Sequence, residues 1–398
     1  MTSTRSEIVE TPSEYRDRLT RWLEANLAGR TSRVLDEAEK REIAQQMYDE
    51  GLTALTWPEQ YGGRGLPGDF QTVYNEAVAQ YDWAMLATTV TIGICGATLS
   101  DFGTEEQKLR HLPRMLRGDE RWTQLLSEPG AGSDLASVST RAVREGDRWI
   151  VNGQKVWTSS AVESHYALAL VRTDPTAPAR RGVSMMIVDL SAPGVEIRPL
   201  REMTGRAAFN EVFLNDVSLA GDSILGSPGE GWPILLRMLT HERLALSAGT
   251  TGRRMDLEAF PRLLELAKAR GNVNSGEVRG LLSEVFIQQK LLDLLGSRMR
   301  TASEFGLSMG PVGSIGKVGA AKAARLVAEA GIAIGGNDTQ AWAADDETSA
   351  ELARTLLHFP SAGIAGGTTE IQKNTIAERL LGLPREPLPQ SPTTPPVK

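Results

Sequence analysis

The sequence predicts an α+β protein with an N-terminal α-helical domain, a small middle β-barrel domain and a C-terminal four-helix-bundle domain. The periodicity of the apolar residues is helical from about residue 12 to 120, changes to a period of two from about 122 to 220, and is helical again from 231 to 383. With 398 residues, the chain is long enough to bury a large core in two or three structural regions. These observations together favour helical regions on either side of a β-rich one.

The periodicity changes also predict the domain boundaries. We expect the helical domain at 1–120, the β-domain at 121–230 and the bundle at 231–386. Residues 387–398 are rich in Pro, Thr and Ser, and this composition predicts a disordered tail.

The first part is predicted to begin with an amphipathic helix that runs to Leu27, because Tyr15, Leu19, Trp22 and Leu23 share its helical spacing. A second helix is expected over 38–50. A glycine-rich, aromatic loop at 51–65 then interrupts the helical pattern.

The middle part is predicted to contain about six short strands separated by turn residues, which are enough to close a small β-domain. The Asn152-Gly153 pair predicts a type I′ hairpin turn. The expected strands cover 138–143, 149–151, 166–172, 183–189, 195–200 and 210–214.

The third part contains Leu- and Ala-rich runs that predict long helices. They cover 255–270, 277–303 and 318–334.

Composition excludes several classes of function. A net charge of −7 disfavours a nucleic-acid-binding protein, and no run of 18 apolar residues predicts a membrane span. The single cysteine, Cys95, cannot form an intramolecular disulfide, and its apolar neighbours predict a buried structural thiol. The four histidines lack metal-ligand spacing, so no metal site is expected. The N-terminal residues lack the apolar core of a secretory signal, which predicts a cytoplasmic protein.

Two segments carry the clearest indication of chemistry. LSEPGAGSD at 126–134 is a Pro-Gly turn whose glycines allow backbone N–H groups to approach an anion or a flat ring. NGQKVWTSS at 152–160 places an indole before three hydroxyl-bearing residues, which suits an electron-accepting heterocycle. This pair, in this order and spacing, resembles the flavin-binding core of the acyl-CoA dehydrogenase family. The resemblance covers about residues 12 to 385.

The resemblance implies FAD as the cofactor and assigns roles to individual residues. Leu126 and Ser127 would contact the flavin ring, with the Ser127 hydroxyl near N5 or O4. Gly132 and Ser133 would lie near the flavin and the thioester of the substrate. The remaining implied cofactor contacts are Trp157 near the dimethylbenzene side, Ser159 toward N5, Gly336 toward the cofactor of a neighbouring subunit, and Thr368 and Glu370 in the C-terminal signature.

The resemblance also implies which residue removes the α-proton of the substrate. A carboxylate serves as this base where burial raises its pKa. In much of the family a glutamate precedes the Gly-Thr of the C-terminal signature, but Gly366 occupies that position here. Glu242 matches a second placement, found in the isovaleryl and long-chain branches, and is the expected base. Arg243 would hold the helix or bind the CoA part of the substrate.

One family motif is absent. The Arg-x-x-Phe-Gly motif, whose arginine reaches the flavin diphosphate of a partner subunit, has no Phe-Gly counterpart at 267–274. Arg270 and Arg279 are the alternatives for this contact. Together with GGTTEIQKN and AERLLGLPRE, this gap resembles an actinobacterial branch that includes sterol side-chain dehydrogenases, some of which are mixed-subunit tetramers.

The expected activity is therefore FAD-dependent introduction of a 2,3 double bond into an acyl-CoA thioester. An electron-transfer flavoprotein would accept the electrons, and the working unit would be a homodimer, homotetramer or heterotetramer. The alternatives are the same reaction on an acyl group bound to a carrier protein, a flavin oxidase or monooxygenase, and a non-catalytic subunit of a heteromeric dehydrogenase.

Overall fold

The computed structural model describes residues 10–27, 36–78, 89–247, 259–305, 311–341 and 345–385. Contacts within the chain divide it into two compact units, Met1–Arg254 and Met255–Lys398. The tail predicted at 387–398 lies outside the described residues. The boundaries predicted at 120, 230 and 386 stay predictions.

Helices stand at both ends of the described part of the first unit. Its helical core includes the buried side of α1, where the hydroxyl of Tyr15 donates to the carbonyl of Leu52 at 2.8 Å. The helices described in this unit are Pro12–Leu27 (α1), Glu37–Asp49 (α2), Gly68–Val78 (α3), the π-helix Thr89–Gly96, Ala97–Phe102 (α4), Glu105–Arg117 (α5) and Gly231–Ser247 (α6).

The π-helix and α6 approach each other closely. A Cβ atom added to Gly93 would stand 3.4 Å from the Cβ atom of Ala245, so small residues at both positions permit this approach. A π-helix is rare and is often found at functional sites.

The strands of the first unit form one sheet in the order β6-β7-β3-β2-β4-β5-β8, with β1 parallel to β4. They are Trp122–Leu125 (β1), Arg141–Glu145 (β2), Arg148–Ser159 (β3), Tyr166–Arg172 (β4), Val183–Asp189 (β5), Val195–Leu200 (β6), Phe209–Ala220 (β7) and Ile224–Leu225 (β8). Strand β4 is buried on both faces, because Leu168 and Leu170 belong to one core cluster and Ala167, Ala169 and Val171 to another. The predicted order of helical, β-rich and helical regions is confirmed.

The predicted hairpin turn at Asn152-Gly153 is wrong, because both residues lie inside β3. The side chain of Asn152 instead pairs with Asp216 on β7, accepting from its backbone N–H at 3.0 Å and donating to its carboxylate at 2.9 Å. Gly153 is required here, since a Cβ atom would stand 2.7 Å from the Cα atom of Thr140.

The strand predicted at 138–143 begins later, at Arg141. The guanidinium of Arg172 donates to the carbonyls of Val138 at 3.0 Å and Ala136 at 2.7 Å. These carbonyls therefore have a side-chain partner in place of a neighbouring strand.

The described helices of the second unit are Ala259–Ala269 (α7), Gly276–Glu304 (α8), Val312–Gly335 (α9), Glu347–Ala362 (α10) and Thr369–Arg379 (α11). Helix α9 packs against each of the other four. Apolar residues of α7, α8 and α9, among them Leu263, Val285 and Leu326, form the core. Among the described helices of both units, none combines the length and apolar character that crossing a membrane requires.

Candidate active site

The loop at 126–134 begins directly after strand β1. Glu128 and Ala131 exchange two backbone hydrogen bonds, of 2.9 and 3.1 Å, and so close a tight turn around Pro129-Gly130. Leu126 is half-buried against the core that lies under β1, whereas Gly132 and Ser133 are exposed. The turn therefore holds one end of the loop in the core and leaves the other end at the surface.

A buried ion pair joins this loop to the second motif. The ammonium group of Lys155, on β3, is fully buried and lies 2.8 Å from the carboxylate of Glu128. It also donates to the carbonyls of Leu126 at 3.0 Å and Leu170 at 2.6 Å. All three of its N–H donors are thus satisfied, as a buried charge requires.

Glu128 is satisfied equally well on its other side. Its carboxylate accepts from the backbone and hydroxyl of Ser139, both at 2.7 Å, and from the backbone of Thr140 at 2.9 Å. Burial alone raises the pKa of Glu128, but the charge and hydrogen bonds of its partners outweigh this and lower the pKa to about 2. Burial lowers the pKa of Lys155 to about 8, against the opposing effect of Glu128. At neutral pH both groups remain charged.

This shift predicts how the stability of the protein depends on acid. The pKa of Glu128 falls from its ordinary value of 4.5 to about 2 on folding, so its ionised form stabilises the fold above pH 4.5. That contribution is lost as the pH falls from 4.5 toward 2. We expect the stability difference between the wild type and Glu128→Gln to shrink over this range when unfolding is measured from pH 7 to pH 3. A constant difference would contradict the assignment.

Trp157 lies at an irregularity in β3. The register with β7 shifts between Lys155 and Thr158, and Trp157 has a φ of 60°, a conformation that is rare for a large side chain. Its indole is 61% exposed and meets the ring of Phe209 edge-on at 6.0 Å. The strand therefore presents a large aromatic surface to the outside.

Backbone contacts hold the two motifs side by side. The N–H of Val156 donates to the carbonyl of Ser127 at 2.9 Å, and the hydroxyl of Thr123 donates to the carbonyl of Ser159 at 2.8 Å. The six cofactor residues predicted in the first unit thus lie on β3 and on the loop between β1 and β2, which these contacts join. They are Leu126, Ser127, Gly132, Ser133, Trp157 and Ser159.

The residues present fit a flat cofactor. A Cβ atom added at Gly130 or at Gly132 would meet nothing within 4 Å, so this side of the loop is open. The indole of Trp157 and the hydroxyl of Ser159 are exposed on β3, and the hydroxyl of Ser133 is exposed on the loop. We conclude that this surface of the β-domain can receive the ring of a flavin.

A cavity of about 740 Å³ lies in the first unit. Its walls come from α2, α3, the π-helix, α6 and the loop that contains Trp57. The lining residues of α6 are His241 and Ala245, which flank Glu242 on that helix.

Glu242 itself is half-buried on α6. Its charge is close enough to Cys95 of the π-helix to add to the effect of burial, and both raise the pKa of that thiol. The preceding residue, His241, is fixed by Asp101, whose carboxylate also accepts from Arg237 at 2.6 Å. Arg243 lies on the same helix, and its side chain lies outside the described residues. The structure thus places Glu242 on an anchored helix that borders the cavity.

The other predicted cofactor residues lie in the second unit. Gly336 follows α9 with a φ of 60°, and a Cβ atom there would meet nothing within 4 Å. Thr368 caps α11, because its hydroxyl accepts from the backbone of Ile371 at 3.3 Å, and Glu370 is exposed in the first turn of that helix. Gly366, at the position where much of the family has a glutamate, has a φ of 66°.

Arg270, one of the two alternatives for the missing arginine motif, already has partners within this unit. Its guanidinium contacts the carboxylate of Asp338 and donates to the hydroxyl of Ser349 at 3.1 Å. Arg279 is exposed near the start of α8. Arg270 therefore ties α7 to the segment that begins at Gly336.

Comparison with known protein families gives three matches. The acyl-CoA dehydrogenase N-terminal domain matches residues 10–119, the middle domain 123–217 and the C-terminal domain 229–381. The matched segments cover most of the chain and include both loop motifs and Glu242.

Individual proteins agree with these matches. The chain is 36% identical to acyl-CoA dehydrogenase IpdE1 of Mycobacterium tuberculosis, over 94% of this chain and 98% of that protein. Among solved structures, the Tcur3481-Tcur3483 steroid ACAD is similar with a TM-score of 0.80 and 28% identity, covering 97% of this chain and 100% of that one. The ChsE4-ChsE5 complex of Mycobacterium tuberculosis gives a TM-score of 0.75 and 28% identity, covering 96% and 100%.

Proposed function

The chain belongs to the acyl-CoA dehydrogenase family and catalyses FAD-dependent α,β-dehydrogenation of an acyl-CoA thioester, and we propose that Glu242 is its catalytic base. The observation that supports this role is the position of Glu242 on α6, a helix whose residues His241 and Ala245 line a cavity large enough for an acyl group. Gly366 has no side chain that removes a proton. The carrier-protein and non-catalytic alternatives are not favoured by the matches to acyl-CoA dehydrogenases.

The proposed reaction removes two hydrogens from the substrate. The carboxylate of Glu242 takes the proton from Cα, and the electron pair of that C–H bond forms the Cα–Cβ double bond. Bound FAD supplies the acceptor, N5, for the hydride that leaves Cβ. The thioester carbonyl oxygen gains negative charge as the proton leaves, so hydrogen-bond donors aimed at this oxygen accelerate the step.

We propose that the open surface on the first unit holds the flavin ring. The exposed indole of Trp157 supplies an apolar face, and the hydroxyls of Ser127 and Ser159 supply hydrogen bonds. Gly336, Thr368 and Glu370 of a neighbouring subunit supply further cofactor contacts. Ser133 and Arg243 are the proposed substrate contacts.

An anaerobic bleaching screen tests the activity. The yellow holoprotein is mixed with short, branched, aromatic and steroid CoA thioesters, and the flavin absorbance is followed. Bleaching by at least one thioester is expected, and the absence of bleaching by all of them would contradict the activity. The similar Tcur3481-Tcur3483 protein is named a steroid ACAD, which supports including ring-bearing acyl groups in the screen.

We also propose that the working unit contains more than one chain. Helix α8 exposes a large apolar surface, with Phe286 at 50%, Ile287 at 55%, Leu291 at 56% and Leu294 at 58% exposure. Apolar patches of this kind mark interaction surfaces. Two of the similar structures are named as pairs of proteins, which supports a second, related chain as a partner.

This proposal predicts an assembly that depends on α8. Light scattering of the holoprotein should give the mass of a dimer or tetramer, formed by this chain alone or with a related partner. Replacing Leu291 and Leu294 with Asp should lower this mass, because a buried charge opposes association. A fully active monomer would contradict the proposal.

We further propose that an electron-transfer flavoprotein reoxidises the enzyme. An oxidase on this scaffold would instead pass its electrons to oxygen, so the rate of reoxidation in air distinguishes the two. The cytoplasmic location expected from the sequence stays a prediction.

A further inference from the structure

Two hydrogen-bond donors face each other on the wall of the cavity. The Nη2 atom of Arg41, on α2, lies 3.3 Å from the Nε2 atom of His165, just before β4, and both residues line the cavity. The other ring nitrogen of His165, Nδ1, accepts from the backbone N–H of Arg121 at 3.0 Å. A backbone N–H only donates, and a neutral imidazole has one acceptor nitrogen. Nε2 therefore carries the hydrogen, and both facing atoms are donors.

The surrounding charges keep both Arg41 and His165 available as hydrogen-bond donors. Burial, followed by the charge of Arg41, lowers the pKa of His165 below its ordinary value of 6.5, so the ring is neutral at pH 7. Two acidic residues that line the cavity have other partners, since Glu163 pairs with Arg121 at 3.5 Å and Glu120 with His111 at 2.8 Å. Within the described part of the chain, Arg41 has no carboxylate within 4.0 Å. The pair thus offers one positive charge and two N–H donors on the wall of the cavity.

The same cavity borders the helix of the proposed base. His241, which precedes Glu242 in the chain, and Ala245, one helical turn later, line the cavity, while Trp57 and Met115 supply apolar wall. Its volume of about 740 Å³ lies in the upper part of the range of small-molecule sites, about 300–1,000 Å³. An acyl group that occupies this cavity therefore meets a polar contact point among apolar walls.

We propose that Arg41 and His165 bind an oxygen atom, of a ketone or a carboxylate, on the part of the acyl group that is remote from the thioester. This inference rests on the proposed function, because it takes the cavity beside Glu242 as the acyl site. Arg41 is exposed and stays hydrated without substrate, so the facing donors cost little free energy when no ligand is present. The substrate class is a bulky acyl-CoA with a distal oxygen.

The pair discriminates between substrates by hydrogen bonding. An acyl group without the distal oxygen displaces water from both donors and returns no acceptor. A hydrogen bond that involves a charged group typically changes affinity by about 10- to 100-fold. We expect a preference of this order for the oxygenated member of a matched pair.

The test uses pairs of CoA thioesters of ring-substituted propanoates with one, two or four rings. Each pair has a ring ketone in one member and a methylene in the other, and a third arm replaces the ketone with a carboxylate. The wild-type holoprotein should show the higher kcat/KM for an oxygenated member. Arg41→Met should reduce this preference by about 10-fold or more, mainly by raising KM for the oxygenated member. The kcat/KM for the methylene member should stay within about 3-fold of the wild-type value.

Two further variants make the test specific. His165→Asn keeps an acceptor for the backbone of Arg121 but removes the Nε2 donor, so it should also reduce the preference. Arg110→Met makes the same change as Arg41→Met at an exposed position of α5 outside the cavity and should leave the preference unchanged. An equal loss for both members of a pair in Arg41→Met would mean that Arg41 contacts the CoA part, and it would overturn the proposal.

Calorimetry separates this inference from the proposed function. Binding of the same thioesters is measured with the Glu242→Gln holoprotein and with the Glu242→Gln/Arg41→Met double variant. A binding preference for the oxygenated member that is present in the first and lost in the second supports the distal site even if Glu242 is not the base. Lack of preference in every pair, in binding and in turnover, would overturn the distal site. Lack of bleaching by every thioester, with the binding preference intact, would contradict only the proposed function.

Discussion

Glu242→Gln should lower the rate of flavin reduction by an acyl-CoA thioester by about 10²- to 10⁴-fold, the usual effect of losing a positioned general base. The amide keeps the size of the side chain but accepts a proton poorly. The variant should retain its flavin and bind substrate, because the predicted flavin contacts lie on other residues. Stopped-flow absorbance under anaerobic conditions measures the rate directly.

Two control variants test whether the rate loss is due to the missing base. Glu106→Gln removes an exposed carboxylate in the first turn of α5 and should leave the rate unchanged. Glu370→Gln should mainly weaken cofactor binding, since Glu370 is a proposed cofactor contact. A Glu242→Gln enzyme that reduces its flavin at close to the wild-type rate would mean that the proton acceptor lies elsewhere.

Lys155→Met should lower both the free energy of unfolding and the retention of flavin. The ammonium of Lys155 is fully buried and contacts the carboxylate of Glu128 and the carbonyl of Leu126, which belong to the loop at 126–134. Removing one partner of a buried ion pair leaves an uncompensated charge and typically costs about 3–5 kcal/mol. Denaturant unfolding measures the stability, and the flavin-to-protein absorbance ratio measures the retention.

An exposed ion pair is the matched control for this variant. Lys268 lies 2.7 Å from Glu265, with side-chain exposures of 53% and 69%. Exposed pairs contribute about 0–1 kcal/mol, so Lys268→Met should change stability little. The Lys155→Met/Glu128→Gln double variant should recover part of the lost stability, because the unpaired carboxylate is gone. Equal losses in Lys155→Met and Lys268→Met would contradict the proposed role of the buried pair.

The sequence predicts the fold where periodicity is strong. The spacing of Tyr15, Leu19 and Leu23 indicates α1 correctly, since all three are buried on one face. The alternation of periods likewise indicates the order of helical, β-rich and helical regions. These signals are local, and local patterns are what a single sequence contains.

Contacts between distant residues are not visible in such patterns. Asn152-Gly153 has the composition of a hairpin turn, but its conformation is decided by Asp216, 64 residues away. The Lys155–Glu128 ion pair was also missed, although both residues belong to the two flavin motifs. A lysine in a strand that is otherwise partly apolar was the only signal for it, and its partner is 27 residues earlier.

The sequence likewise predicts one part of the candidate site and not another. The motifs indicate the cofactor surface, and the substitution of Gly366 for a glutamate directs attention to Glu242. The facing donors of Arg41 and His165 were not predicted, because they are separated by 124 residues and neither belongs to a motif.

Exchange of the substrate α-proton with solvent tests the central claim most directly. The holoprotein is incubated without oxygen in D₂O with a thioester that bleaches it, and the thioester is recovered and analysed by mass spectrometry. The wild type should introduce deuterium at Cα. Glu242→Gln with equal flavin content should introduce it at a rate lower by about 10²-fold or more. Deuterium incorporation by Glu242→Gln at the wild-type rate would show that another group removes the proton.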